Sequence, residues 1–270
     1  MKMSALTRVA AVARAAGLDT MVVAAKRLVT RLAPLRSVEV GGLKYIGRFE
    51  HRHHLLAISQ GRMEAITLDR FRRAIRPGAV VVDVGAYLGV FTLAAAEAVG
   101  PYGRVVAFEP SPTTFACLSA NVAANGYAHR VELVNAAAGD CIGTIRLALN
   151  ADDPSQNTTV QKGRIMIEVP IQRITDVIGT VDVSVCKIDV EGAELAVLRG
   201  MEDQLDSISD LFVECNPAGL MAAGDSPDAL VEKLERNAFA IDVIDEKSAK
   251  VGPWPMDLGG RSYVNLHAHR

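Results

Sequence analysis

From about residue 78 the chain alternates short apolar runs with segments of helical spacing. AVVVDV (79–84) is a continuous apolar run, the mark of a parallel strand covered on both faces. GVFTLAAAEAVG (89–100) follows with helical spacing and stops at Gly100-Pro101. GRVVAFE (103–109) reads as a second strand. SPTTFACLSANVAANG (111–126) reads as a helix with Ser111 as N-cap, Pro112 at the first helical position and Gly126 at its end. RVELVNA (130–136) is a third strand. GTIRLALN (143–150) and RIMIEVPIQ (164–172) then form a hairpin-like insertion around the polar tip ADDPSQNTTVQKG, read as mobile. The alternation resumes with VSVCKIDV, EGAELAVLRGM, DLFVEC and SPDALVEKLERNAF, and AIDVID and YVNLHAH supply the last strands. Strands alternating with helices predict a largely parallel sheet with helices on both faces.

Two stretches lie ahead of this rhythm. SVEVGGLKYIGRFE (37–50) predicts a short hairpin, and HRHHLLAISQGRMEAITLDRFRRAI (51–75) a loop and a helix that reach the first core strand through Pro77-Gly78. Residues 1–36 carry seven basic residues and one acid, Asp19, in an Ala/Val/Leu-rich background. They read as an amphipathic helix packed on the domain, with weak contact to an anionic membrane surface as the alternative. The division expected is therefore an N-terminal helical extension and lead-in over 1–77 and the alternating α/β domain over 78–270. No run reaches the ~18 apolar residues of a spanning helix. The formal net charge of −2 gives no basic footprint for nucleic acid. Cys117, Cys141, Cys186 and Cys215 show no C-x-x-C pairing and lie in apolar surroundings. Buried reduced thiols in a cytoplasmic protein are expected.

The stretch VVVDVGAYLGV (80–90) carries the first chemical signal. In an open parallel sheet, ligands bind beyond the carboxyl ends of the strands, where a turn and a helix N-terminus meet. Gly85 and Gly89 permit the sharp turn and a close ligand approach. The dinucleotide pattern G-x-G-x-x-G is absent, because Tyr87 and Val90 hold the second and third glycine positions. The turn suits a ligand without phosphates there, such as a nucleoside with an amino-acid tail. Glu109 ends the second strand, 24 residues after Gly85, where a carboxylate accepts hydrogen bonds from ribose hydroxyls.

Residues 80–126, AAAGD (136–140) and VCKIDVEGAELAVLRGM (185–201) closely resemble the FkbM family of S-adenosylmethionine-dependent methyltransferases. The elements D-V-G-A-x-x-G, A-F-E-P-x-P and K-I-D-V-E-G-A-E occur in the family's order and spacing, over roughly residues 60–215. Tyr87-Leu88 stands where many members have Asn and Ile. The resemblance implies a Rossmann-like class I methyltransferase fold: a seven-stranded, mostly parallel sheet with its last strand antiparallel, here with a β-hairpin insertion. It implies S-adenosylmethionine as donor and a hydroxyl as acceptor, on a sugar, glycolipid or other secondary metabolite. By motif, Asp83, Gly85 and Gly89 surround the methionine part of the donor, and Glu109 holds the ribose. Asn135 and Asp140 are placed to touch the adenine. Glu64 falls where members often carry a Glu and covers the donor's amino group or caps its helix.

Methyl transfer needs an acceptor oxygen aligned with the C–S bond and a base for its proton. Asp189 and Glu191, at the sheet's carboxyl edge, and Glu214, at the end of the fifth strand, are the candidates. Glu191 is read as starting a helix, Glu194 as a solvated or capping charge, and Lys187 as a buried lysine paired with a nearby carboxylate. Asp189 and Glu191 are also the pair to which a Mg²⁺ would bind, but no metal ligand set is assigned. The histidines of HRHH have no second ligand cluster at standard spacing. An RNA methyltransferase is disfavoured by the near-neutral charge, N-methylation by the lack of an Asn-Pro-Pro-aromatic arrangement, and a nicotinamide dehydrogenase by the missing glycines. A non-catalytic donor-binding protein is the rival from outside the enzymes. Neither the acceptor's identity nor the oligomeric state is written in the sequence.

Overall fold

The computed structural model describes residues 35–150, 153–160, 165–254 and 261–270. The basic N-terminal segment, for which a helix is expected, lies outside them except for its last two residues. The described strands are β1 (Arg36–Val40), β2 (Leu43–Gly47), β3 (Val80–Val84), β4 (Arg104–Phe108), β5 (Val131–Val134), β6 (Ala137–Ala138), β7 (Gly143–Leu149), β8 (Ile165–Gln172), β9 (Val185–Ile188), β10 (Asp210–Cys215), β11 (Ala240–Asp245), β12 (Lys250–Pro253) and β13 (Val264–His269). The α-helices are α1 (Arg52–Ser59), α2 (Ala65–Ala74), α3 (Val90–Ala98), α4 (Pro112–Ala124), α5 (Ile174–Ile178), α6 (Glu194–Gly200), α7 (Pro217–Ala223) and α8 (Pro227–Arg236).

The central sheet runs β12-β11-β13-β10-β9-β3-β4-β5. β5, β4, β3, β9 and β10 are mutually parallel, while β13 is antiparallel to both β10 and β11. This is the expected architecture with one addition: β12 pairs antiparallel to β11 and makes eight strands instead of seven. The chain leaves β3 towards β4 and later returns to pair β9 on the other side of β3. That reversal of direction opens a crevice at the strand ends, where ligands bind in such sheets.

Side chains of each strand alternate between two cores. Val82, Val106, Cys186 and Val213 face one side with α6 and α8; Val81, Val105, Val185 and Phe212 face the other with α2, α3 and α4. Lead-in residues Leu43, Tyr45, Leu55, Ile58 and Phe71 belong to the second core, so the lead-in packs on the sheet itself. It is a hairpin followed by two helices, since 52–59 is helical where a loop is expected. Asn121 of α4 and Asn125 at its C-cap fasten this hairpin: Ile46 N donates to Asn121 Oδ1 at 2.5 Å and Lys44 N to Asn125 Oδ1 at 2.9 Å. The insertion folds as expected into the antiparallel pair β7/β8, with β6 added parallel to β8.

The expectation for the cysteines needs correction. Cys117, Cys186 and Cys215 are buried, but Cys141 is exposed, in the turn before β7. All four are free thiols. Among the described residues no helix is long and apolar enough to cross a membrane.

Candidate active site

A cavity of about 360 Å³ opens at the carboxyl ends of β3, β4, β9 and β10 and is roofed by the lead-in and the insertion. Its size is that of a small-molecule site. Three of the five described non-glycine residues with positive φ line it: Glu64 (φ 42°), Tyr87 (φ 52°) and Glu191 (φ 55°). Such backbone costs of order 1–3 kcal/mol per residue and concentrates where geometry serves function.

The floor is the turn after β3. Gly85 has φ 82°, and a Cβ on it would stand 1.8 Å from the Asp189 carbonyl oxygen. Only glycine lets the β3 turn and the end of β9 approach this closely. Gly89 has φ 86° and packs under Leu118, where a Cβ would meet Cδ1 at 2.7 Å. Gly85 N and Ala86 N both donate to Phe108 O, fastening the turn to β4. Asp83 is buried and accepts from Thr92 Oγ1 at 2.5 Å. Burial pushes its carboxyl up to about 6, against the pull of that hydroxyl and of Lys187.

Glu109 ends β4 and faces the cavity. Its Oε1 accepts Ser111 N at 2.8 Å and its Oε2 accepts Tyr87 N at 3.0 Å. Burial raises it to about 7, and these two N–H groups pull it back. A carboxylate has about four lone-pair sites, so each oxygen keeps one for a ligand. That suits a pair of neighbouring hydroxyls. The apolar wall beside it is Phe108, Pro110, Ala136–Ala138 and Leu147.

Two residues expected at the adenine stand elsewhere. Asn135 is absent from the cavity lining; its Nδ2 donates to Glu109 O at 2.8 Å and braces the end of β4. Asp140 also lies off the lining and pairs with Arg199 at 3.2 Å on the surface. Standing at the end of a strand does not decide which way a side chain faces.

The other half of the cavity is dense with charge. Lys187, on β9, is buried with Nζ 3.2 Å from Asp189, 3.9 Å from Glu64 and 5.1 Å above the Phe91 ring. Burial alone would lower its pKa, but Asp189, Glu64 and Glu214 raise it above the ordinary lysine value. The expected pairing of this lysine with a carboxylate is thus present twice. Glu64 is raised to about 7 by burial, against Lys187, and its Oε2 accepts Asn265 Nδ2 at 3.3 Å. Glu214 is 5 % exposed, and burial, then Asp189, Glu191 and Glu64, push it well above the carboxylate range.

Glu191 does not start a helix. It sits three residues before α6, in the strained turn 190–193. Its Oε2 accepts Asn216 Nδ2 at 2.9 Å, and its carbonyl oxygen accepts Thr158 Oγ1 from the insertion at 2.9 Å. Burial, then Asp189, raise its carboxyl to about 8. Glu194 is not solvated: it is fully buried and its Oε1 accepts Gly192 N and Val190 N, closing the same turn.

The sequence reading missed the wall made by Tyr87, His54 and Asp153. Tyr87 Oη lies 3.3 Å from His54 Nδ1, which is 3.8 Å from Asp153 Oδ1. This contact joins the β3 turn, α1 and the insertion tip, three segments with no common sequence motif. Burial lowers His54, while burial, His54 and Arg48 lower His51 to about 4, so both rings are neutral near pH 7. His53 is exposed. Tyr263, Asn216 and Arg62 also line the cavity without a sequence signal. As for a metal, Glu64, Asp189 and Glu214 are the described group of three carboxylates whose oxygens come within 4.8 Å of one another, and Glu191 is not part of it. Lys187 already supplies a cation to that group.

Residues 83–240 match the methyltransferase FkbM domain. The chain belongs to that family. It is 27% identical over 176 residues to methyltransferase sdnD of Sordaria araneosa, covering 52% of this chain and 68% of that protein. It is 32% identical over 163 residues to the 31-O-demethyl-FK506 methyltransferase FkbM of Streptomyces tacrolimicus, covering 48% of this chain and 62% of the relative. Among solved structures, methyltransferase FkbM from Methylobacillus flagellatus KT superposes with a TM-score of 0.46 at 16% identity, over 92% of this chain and 58% of that one. The protein is a methyltransferase of the class that uses S-adenosylmethionine.

The residues present fit that donor. Gly85 lets the β3 turn close on the end of β9 and form the cavity floor, and Glu109 keeps two acceptor sites that suit a ribose diol. Of the three residues expected around the methionine portion, Asp83 and Gly85 line the cavity, whereas Gly89 lies off the lining, packed under Leu118.

Proposed function

We propose that this enzyme transfers a methyl group to a hydroxyl oxygen of a sugar, glycolipid or other secondary metabolite. The carrying observation is that Glu191, a carboxylate with a raised pKa, faces the same cavity as Glu109 from across the Gly85–Asp189 contact. S-adenosylmethionine supplies the methyl group as an activated sulfonium. The protein supplies alignment and a proton acceptor. Asp189, held by Lys187, is the fixed oxygen that orients the acceptor hydroxyl. Glu191 has one oxygen engaged by Asn216 and takes the hydroxyl proton on the other. Tyr87, His54 and the insertion tip close the cavity against water, and the tip and lead-in order further around the acceptor.

The experiment is transfer of labelled methyl from the donor to small glycosides and glycolipid extracts, with the product read by its methoxy resonance. The rate rises with pH through about 8 as Glu191 ionises. Glu191→Gln lowers the rate by about 100-fold or more and removes that rise. Label on a nitrogen, or full turnover by Glu191→Gln, overturns the proposal.

A further inference from the structure

The cavity walls carry seven acidic side chains: Glu64, Asp83, Glu109, Asp153, Asp189, Glu191 and Glu214. Against them stand two permanent cations, Arg62 and Lys187. Most of the acids have partners: Thr92 for Asp83, backbone N–H groups for Glu109, Lys187 for Asp189 and Glu64, Asn216 for Glu191. Glu214 differs. It is 5 % exposed and lines the cavity, and its carboxylate feels Lys187 only as a charge at a distance, with no hydrogen bond or ion pair to it and no hydrogen bond to any other described residue. Left this way the group takes up a proton, and a cation bound beside it would restore its charge.

Its position separates it from the donor turn. In the sheet order β10-β9-β3, Glu214 is two strands from Gly85, about 10 Å at the usual strand spacing. Its carboxylate comes within 4.8 Å of that of Asp189, the group proposed above to orient the acceptor, which puts it on the acceptor side. Tyr263 lines the same cavity, and burial, then the charges of Glu64, Glu214 and Asp189, push its hydroxyl's pKa up. Buried carboxylate beside aromatic ring is the recognition pair for an alkylammonium. The protein already holds one in this manner: Lys187 Nζ lies between Asp189 and Glu64 and over Phe91.

We infer that Glu214 and Tyr263 form a subsite for a protonated amine on the acceptor, so that the preferred acceptors are hydroxyl compounds bearing an ammonium group, and phosphorylated or carboxylated acceptors are excluded. The inference rests on the cavity being the acceptor site, as proposed above. An ammonium suits the place better than a divalent metal ion. Its single charge offsets Glu214 without forcing two more positive charges against Lys187.

The test is calorimetric binding of glucosamine, glucose, N-acetylglucosamine and glucose 6-phosphate to the full chain saturated with S-adenosylhomocysteine. Glucosamine binds at least tenfold more tightly than glucose, N-acetylglucosamine matches glucose, and the phosphate does not bind. Glu214→Gln removes the amine preference, and Tyr263→Leu, which leaves Glu214 in place, reduces it. Equal affinity for glucosamine and glucose, or no binding by either, overturns the inference. So does an amine preference that survives Glu214→Gln. If Glu214→Gln instead weakens S-adenosylmethionine relative to S-adenosylhomocysteine, the cation is the donor's sulfonium and the inference is wrong. Glu214-dependent binding of Mg²⁺ without amine binding overturns it equally. Failure of S-adenosylhomocysteine to bind at all, or methyl transfer to nitrogen alone, strikes at the reading on which the inference rests. Absence of any amine preference in the unaltered enzyme, when that enzyme methylates hydroxyls, strikes at the inference only.

Discussion

The two halves of the cavity are built by different means. On the β3/β4 side, main-chain groups do the positioning: Tyr87 N and Ser111 N aim Glu109, and Gly85 and Gly89 set the turn. On the β9/β10 side, four carboxylates converge from the N-cap of α2, the residue after β9, the turn that follows and β10, and Lys187 pairs with two of them, Glu64 and Asp189. A main-chain scaffold binds the same ligand part whatever the surrounding side chains are. A side-chain cluster is re-addressed by a single substitution. The first arrangement fits the constant substrate of a methyltransferase and the second its variable one.

The comparison can be broken most severely at the seam. Gly85→Ala drives a Cβ into the Asp189 carbonyl oxygen at positive φ. It should cost about 4 kcal/mol or more in chemical denaturation and abolish donor binding. An Ala variant of native stability would show that the halves do not meet as described. Next in size is Lys187→Met, which leaves Glu64, Asp189 and Glu214 facing one another without their cation. We expect about 3–5 kcal/mol of destabilisation, part of it recovered in the double variant with Glu214→Gln. No recovery would mean that the lysine acts through packing alone.

Glu109→Gln tests the other half. It exchanges one acceptor oxygen for an amide and should weaken S-adenosylhomocysteine by about 1.5–3 kcal/mol, the value of a hydrogen bond to a charged group. Calorimetry should show the folded state intact and the amine preference unchanged. An effect on the acceptor instead would erase the distinction between the halves.

The smallest effect is the pH dependence of the ligand-free protein. Asp83, Glu64, Glu109 and Glu191 have folded-state pKa values raised to about 6, 7, 7 and 8. Between the unfolded carboxyl range and these values the native state binds more protons than the unfolded chain. Stability therefore falls as pH rises from about 4.5 to 8, seen as a melting temperature several degrees lower at pH 8 than at pH 5.5. Glu191→Gln and Glu214→Gln should flatten the profile. A melting temperature that climbs over this range would refute the assignment of raised pKa values.

The same contrast explains what the sequence discloses. The β3 turn and Glu109 are local: apolar run, acid, spaced glycines and a strand-end glutamate lie within thirty residues and dictate one geometry. The eight sheet segments were readable for the same reason, except β12, whose KVGP has little apolar signature. Helix α1 was hidden by its three neighbouring polar residues, although Leu55 and Ile58 bury one face of it. Asn135 and Asp140 are carried over by motif, and a motif does not carry side-chain direction. Tyr87, His54 and Asp153 meet only because the lead-in and insertion fold over the same strand ends. No spacing along the chain encodes such a meeting.

The bond from Thr158 Oγ1 to the Glu191 carbonyl has a consequence for divergence within the family. Its receiving atom belongs to the main chain, so no exchange of side chain at position 191 can delete it. The anchor can be lost or moved only from the insertion's side. Tips of different length or composition can therefore be tried against an unaltered docking point, and new acceptors recruited, while the methyl-donor apparatus is inherited unchanged.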